Sequence, residues 1–79
     1  MARVLLFGRL ADVAGWRDRV IESPSLSALK ARLARDDAGL GEALGGRGVQ
    51  VALDQVIVRG DAPLNAGTEV AFLPPMSGG

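Results

Sequence analysis

The residues best placed to do chemistry in this sequence are its last two, Gly78 and Gly79, which follow shortly after a proline pair. Two glycines leave no side chain beside a terminal carboxylate, so the backbone can pass through a channel too narrow for other residues. Pro74 and Pro75 fix φ and have no backbone N–H, so they predict a stiff exit that cannot continue a sheet ladder. The four residues after them reach about 13 Å at roughly 3.3–3.6 Å each. The alternative is a loose terminus without a role.

The composition excludes several other kinds of site. The 79 residues include no cysteine and no histidine, so the usual zinc and haem ligands and the Ser–His and Cys–His nucleophile pairs are missing. Nine basic and nine acidic residues balance, whereas a nucleic-acid footprint needs a basic excess. No apolar run has the length of a membrane span, and there is no signal-peptide pattern. We expect a cytoplasmic protein that binds no metal, cofactor, nucleic acid or membrane.

The apolar pattern predicts five strands and one main helix. The strands are predicted at residues 2–10, 17–22, 49–53, 56–59 and 69–73, with a hairpin turn at Asp54 and Gln55. The main helix begins after the N-cap Ser25 and carries Leu26, Leu29 and Leu33 on one face. Shorter helical turns are predicted around residues 10–14 and 40–44, and Leu64 anchors the crossing segment 60–67. The order predicts an α+β domain over residues 1–74 and an extended tail over residues 75–79.

The strands look apolar on both faces, although one helix covers only one face of a small sheet. Side chains alternate between the faces of a strand. The set predicted to face the helix is Val4, Leu6, Val56, Val58, Val70 and Phe72. The set predicted to face away is Leu5, Phe7, Ile57, Ala71 and Leu73. An exposed apolar patch marks a partner surface unless loops cover it, so we predict Phe7, Ile57 and Leu73 in a partner interface.

The whole chain resembles the ubiquitin-like sulfur carriers of the β-grasp fold, and among them most the small subunits of molybdopterin synthase. The segments that carry the resemblance are residues 69–79 (EVAFLPPMSGG), 4–10 (VLLFGRL), 26–29 (LSAL) and 51–55 (VALDQ). The family often has Asn in place of Asp54 and an aromatic residue in place of Leu73. The first change tolerates the same turn backbone. The second makes the predicted patch smaller but keeps it apolar. The resemblance implies a mixed five-stranded sheet, one main helix and a flexible C-terminal diglycine tail.

The resemblance also implies a two-stage cycle centred on Gly79. An ATP-dependent adenylating enzyme, similar to ubiquitin-activating enzymes, forms an acyl-adenylate on the Gly79 carboxylate, and a sulfur donor protein converts it into a thiocarboxylate. The tail then enters the large subunit of molybdopterin synthase in a heterotetramer and gives its sulfur to cyclic pyranopterin monophosphate, in molybdenum cofactor biosynthesis. The large subunit supplies the catalytic side chains, so this chain is not an enzyme on its own. The residues that would thread into that site are Pro74, Pro75, Met76, Ser77 and Gly78.

The residue chemistry agrees with this division of labour. Without cysteine, the chain cannot hold sulfur as a side-chain persulfide. A terminal carboxylate, with a pKa of roughly 3.5, is ionised at neutral pH and is a poor electrophile. It needs a separate activating step, and the sequence has no Gly-x-x-x-x-Gly-Lys phosphate loop of its own.

Three other functions stay open from the sequence. The chain could carry sulfur for thiazole, cysteine or secondary-metabolite synthesis. It could be a ubiquitin-like protein modifier that forms an isopeptide bond from Gly79 to a lysine. It could also be an interaction domain whose tail has no role.

Overall fold

A five-stranded mixed sheet carries the fold in the computed structural model, which describes residues 1–75. The strands are β1 (Ala2–Leu6), β2 (Asp18–Ile21), β3 (Gln50–Leu53), β4 (Val56–Val58) and β5 (Glu69–Leu73). The helices are α1 (Arg9–Ala14), α2 (Leu26–Asp36) and α3 (Ala38–Leu44). The strand order is β2-β1-β5-β3-β4; β1 and β5 are parallel and the other neighbours are antiparallel. The predicted α+β class and mixed sheet are confirmed.

The central pair of strands supplies the middle of the core. Val4 lies opposite Val70, and Leu6 lies opposite Phe72. Val4, Val70 and Phe72 are completely buried, and so is Leu29 of α2, which belongs to the same apolar cluster. The spacing of the α2 leucines predicted this packing, because positions i, i+3 and i+7 share one helix face. The cluster also includes Leu10, Leu26, Leu33, Leu40, Val51 and Leu64.

The first predicted strand is too long. It was expected to continue to residue 10, but β1 ends at Leu6 because Gly8 adopts a φ of +55° and α1 begins at Arg9. Leu10 therefore reaches the core from a helix. The other four strands match their predicted bounds to within one residue at either end. Within residues 1–75, no helix is long and apolar enough to cross a membrane.

The hairpin between β3 and β4 turns at Asp54 and Gln55, as predicted. Both residues have positive φ, +47° and +72°. The Asp54 carboxylate accepts the backbone N–H of Glu69 at 2.9 Å, so aspartate ties the turn to the start of β5. Val56 lies opposite Leu53, on the face predicted for it. It is nevertheless 64% exposed and lies outside the core cluster, at the turn end of the edge strand β4, whereas Val58 at the other end of β4 packs against the cluster.

The N-terminus of α2 is held by two side chains. The Ser25 hydroxyl accepts the N–H of Ala28 at 3.2 Å, which confirms the predicted N-cap. Asp61 accepts the backbone N–H of Ser27 at 2.8 Å, the Ser27 hydroxyl at 2.9 Å and the N–H of Ala62 at 2.8 Å. These hydrogen bonds favour the ionised carboxylate, so they lower the pKa of Asp61. They tie segment 60–67 to the helix.

Leu29→Ala is expected to destabilise the fold by about 2–5 kcal/mol, because it leaves a cavity in a closed core. Equilibrium denaturation measures this loss. Arg35→Ala, on the exposed side of α2, is the control and should change the free energy of unfolding by no more than about 0.5 kcal/mol. Equal effects of the two changes would contradict this orientation of α2.

Asp61→Ala should lower the melting temperature at neutral pH by removing the acceptor at the start of α2. Because the folded-state pKa of Asp61 lies below the unfolded value of about 3.9, its stabilisation is present above that pH. It is lost as the pH falls through the folded-state pKa. The difference between variant and parent should therefore shrink in acid, which circular dichroism melts at a series of pH values measure. A difference that stays constant in acid would show that the ionised carboxylate is not responsible.

Candidate functional site

The end of β5 brings the proline pair next to Phe7. Since β1 and β5 are parallel neighbours, both strands finish at the same edge of the sheet. The N–H of Phe7 donates to the carbonyl oxygen of Phe72 at 3.3 Å, just past the end of β1. β5 ends at Leu73, directly before Pro74 and Pro75, as the missing proline N–H groups predict. Phe7, Leu73 and the proline pair therefore share one end of the sheet.

The face of the sheet that α2 does not cover carries a row of apolar side chains. Leu5, Ala71, Ala52 and Ile57 lie opposite one another across β1, β5, β3 and β4. None of the four belongs to the cluster that packs against α2. We call this row, together with Phe7 and Leu73, the outward patch.

Exposure differs within the outward patch. Ile57 and Phe7 are each 45% exposed, whereas Ala52 and Ala71 are each only 6% exposed. Because the two alanine side chains are small, the centre of the patch is a shallow depression between larger side chains. Ile57 is two strand spacings, about 10 Å, from β5. A partner that contacts both Phe7 and Ile57 therefore covers most of the width of the sheet.

Polar residues border the patch on the β2 side. Arg3 and Asp18 form a bidentate ion pair, in which Nη2 of Arg3 donates to Oδ2 of Asp18 at 2.6 Å and Nε donates to Oδ1 at 3.1 Å. The hydrogen bonds from Arg3 hold the pKa of the Asp18 carboxyl below its usual range, and Asp18 raises the pKa of Arg3. Both side chains remain largely in solvent, where such pairs add little stability. Gln50, opposite Leu73, is the polar neighbour on β3.

Two glycines contact the proline pair. A Cβ at Gly8 would lie 3.1 Å from Pro74 Cγ, and a Cβ at Gly48 would lie 2.8 Å from Pro75 Cβ. Beside them, a groove of about 550 Å³ is lined by α1, α3 and the proline pair, with Arg9 among its residues. These glycines were not predicted as site residues, because no local sequence pattern relates them to the end of the chain. Ala52 was also not predicted, although the alternation within β3 places it on the outward face.

A family model described as the ThiS family matches residues 4–79. The chain belongs to the ThiS family. It is 32% identical over 81 residues to the molybdopterin synthase sulfur carrier subunit of Escherichia coli K12, an alignment that covers 100% of both chains. The predicted membership of a ubiquitin-like sulfur-carrier family is confirmed.

Solved structures of two archaeal proteins share the fold of this ThiS-family chain. The crystal structure of SAMP1 from Haloferax volcanii has a TM-score of 0.78 at 24% identity and covers 99% of this chain and 98% of that one. The solution structure of the small archaeal modifier protein 1 from Methanosarcina acetivorans has a TM-score of 0.86 at 19% identity, covering 99% and 95%. At these identities the likeness shows the fold, and the predicted ubiquitin-like β-grasp architecture is confirmed.

The predicted site residues thus divide into two groups. Phe7 and Leu73 lie together at the root of the tail, and Ile57 shares their face of the sheet. All three are outside the α2-facing core, as predicted. Pro74 and Pro75, which form the root of the tail, are described as well. The remaining predicted residues, Met76, Ser77, Gly78 and Gly79, lie outside the described residues.

Phe7→Asp should leave the ThiS-family fold intact, because the side chain is half exposed on the outward face. We expect a change of about 1 kcal/mol or less in the free energy of unfolding, near the range of surface substitutions. Phe72→Asp is the matched comparison: the same substitution in the adjacent strand buries an unpaired charge and should prevent folding. Chemical denaturation compares the two variants. Failure of Phe7→Asp to fold would place Phe7 in the core.

Proposed function

We propose that this chain is the sulfur-carrying small subunit of a molybdopterin synthase. Gly79 is adenylated by an ATP-dependent enzyme, converted into a thiocarboxylate by a sulfur donor, and then gives its sulfur to cyclic pyranopterin monophosphate. The observation that carries the proposal is the full-length similarity to the Escherichia coli sulfur carrier subunit. The ThiS-family match, which extends through Gly79, supports it.

The chemistry assigned to Gly79 follows from the state of a carboxylate in water. At neutral pH the carboxylate is ionised and resists attack by a sulfur nucleophile. Adenylation converts one oxygen into part of a good leaving group, so sulfur can attack the carbonyl carbon and AMP departs. The sequence contains no cysteine and no histidine, which fits a protein that supplies the reacting terminus and not the catalytic side chains.

In this proposal the outward patch binds the large subunit while the tail enters its active site. Phe7 and Leu73 lie beside the proline pair, so a partner seated on them is already next to the tail root. Phe7 and Ile57 expose large apolar surfaces on the face of the sheet that α2 does not cover. Aromatic and aliphatic side chains in such positions commonly dominate interface energies. The adenylating enzyme would use the same end of the sheet, because it must also reach Gly79.

The decisive experiment is sulfur loading of the intact chain. We expect incubation with its adenylating enzyme, ATP and inorganic sulfide to exchange one oxygen for one sulfur, and fragmentation to place the mass change on Gly79. The chain lacking Gly79 should unfold like the parent but carry no sulfur. Gly78→Val should also fold but load or transfer poorly, because a β-branched side chain enters a channel made for backbone.

The acceptor is tested by adding the large subunit and cyclic pyranopterin monophosphate to the loaded chain. Formation of molybdopterin supports the proposal, and Phe7→Asp should abolish binding of the large subunit while still folding. An unchanged mass, or cofactor synthesis by the chain lacking Gly79, would refute sulfur carriage. Sulfur loading followed by transfer only to a thiazole or cysteine precursor would move the chain to another carrier pathway. A stable covalent adduct through Gly79 on other proteins would make it a modifier.

A further inference from the structure

The tail root is in close contact with the segment that precedes β3. Gly48 has a φ of +86°, and a Cβ built on it would lie 2.8 Å from Pro75 Cβ and 3.6 Å from Pro75 Cα. Gly8, at the end of β1, has a φ of +55° and would place a Cβ 3.1 Å from Pro74 Cγ. Each proline therefore lies against a glycine that is distant from it in sequence.

The contact at Gly48 is the more restrictive of the two. Real Cβ atoms essentially never approach another atom as closely as 2.8 Å, so a side chain at residue 48 must displace something. Pro75 cannot turn its Cβ away, because the pyrrolidine ring is closed onto its own backbone. The displacement must therefore move the backbone of the tail or of the segment around residue 48. At Gly8 the required shift is a few tenths of an ångström.

We propose that Gly48 is a positioning residue for the tail: its missing side chain lets Pro75 lie against the segment before β3 and so sets the direction in which residues 76–79 leave the fold. Gly8 gives Pro74 a second, looser contact at the end of β1. This inference rests on the proposed function for its biological consequence. The contact between Gly48 and Pro75 stands independently of that function.

The direction of the tail matters because the group proposed to react, the Gly79 carboxylate, is four residues beyond Pro75. Four fully extended residues can span about 13 Å, so a turn of roughly 15° at Pro75 would move the end of such an arm by about 3 Å. Misplacement of a reacting group by about 1 Å can cost a factor of 10² in rate. A small change at Gly48 can therefore impair chemistry at Gly79 while leaving the outward patch in place.

The chain offers a matched control for this test. Gly67 has a φ of +84°, almost the same as that of Gly48, but a Cβ built on it would meet no atom within 4 Å. It lies before β5, at the opposite end of that strand from the tail. Gly48→Ala and Gly67→Ala therefore both place alanine at a positive φ that it rarely adopts. Only Gly48→Ala adds the collision with Pro75.

The test measures the direction of the tail directly. The native sequence has no cysteine, so Ser77→Cys provides one attachment point for a nitroxide spin label. In this background we expect Gly48→Ala to change which backbone amides of α1, α3 and the outward patch are broadened by the label. Gly67→Ala should reproduce the parent pattern. Pro75→Gly removes the same contact from the tail side, without straining residue 48, and should also change the pattern. If Gly48→Ala does not fold, an unchanged pattern in Pro75→Gly overturns the inference.

Sulfur loading by the adenylating enzyme, with ATP and inorganic sulfide, is the second readout in the unlabelled chain. Gly48→Ala should lower kcat by about 10- to 100-fold with little change in KM, since the patch that binds the enzyme is untouched. Gly67→Ala should load like the parent even if its melting temperature falls. A parent that never loads refutes the proposed function and leaves the spin-label result to decide this inference. Unchanged broadening in Gly48→Ala or in Pro75→Gly overturns the inference, whatever the loading rate.

Discussion

The parallel pairing of β1 with β5 is the constraint on which the rest of this structure depends. It places the last strand in the middle of the sheet, so the chain leaves the fold from its most buried element. Val4 against Val70 and Leu6 against Phe72 join residues from the two ends of the sequence. The root of the tail is therefore defined only when the long-range contacts of the whole domain have formed.

In the proposed function, this arrangement separates binding from chemistry. α2 covers one face of the sheet but not the other, where Ala52 and Ala71 form a low centre between the larger exposed side chains Phe7 and Ile57. The group proposed to react, the Gly79 carboxylate, needs no side chain. A carrier of this kind would be recognised through its sheet face by proteins that supply the catalytic groups.

Local sequence pattern predicted the fold because its main elements have local causes. Alternation in β5 and the leucine spacing of α2 identified the two sides of the core, and Ser25 marked the start of the helix. The predicted end of β1 was wrong, because apolar residues continue past Gly8 into α1. The spacing of these residues changes there from that of a strand to that of a helix, so the strand was extended too far. Val56 was predicted on the correct face, but its exposure was missed, since alternation gives the face of a residue but not its place along an edge strand. Of the predicted site residues, Phe7, Ile57, Leu73 and the proline pair fall within the described part of the chain, and alternation placed the first three on their face of the sheet. The contact of Gly48 with Pro75 joins segments that no periodicity relates.

Glycine and proline have opposite effects on the backbone, and the tail root uses both. Proline restricts the chain where it leaves β5, which lowers the entropy lost when a partner orders it. A rigid segment is useful only if its starting direction is fixed, and Pro75 alone cannot fix it, because rotation about the preceding bonds remains. In the proposed arrangement, contact with Gly48 removes that freedom without adding side-chain bulk. At a φ of +86° an L side chain is strained, so the backbone conformation of residue 48 favours glycine, as does the close approach of Pro75. Glycine is thus the residue that fits both the turn before β3 and the contact with the tail.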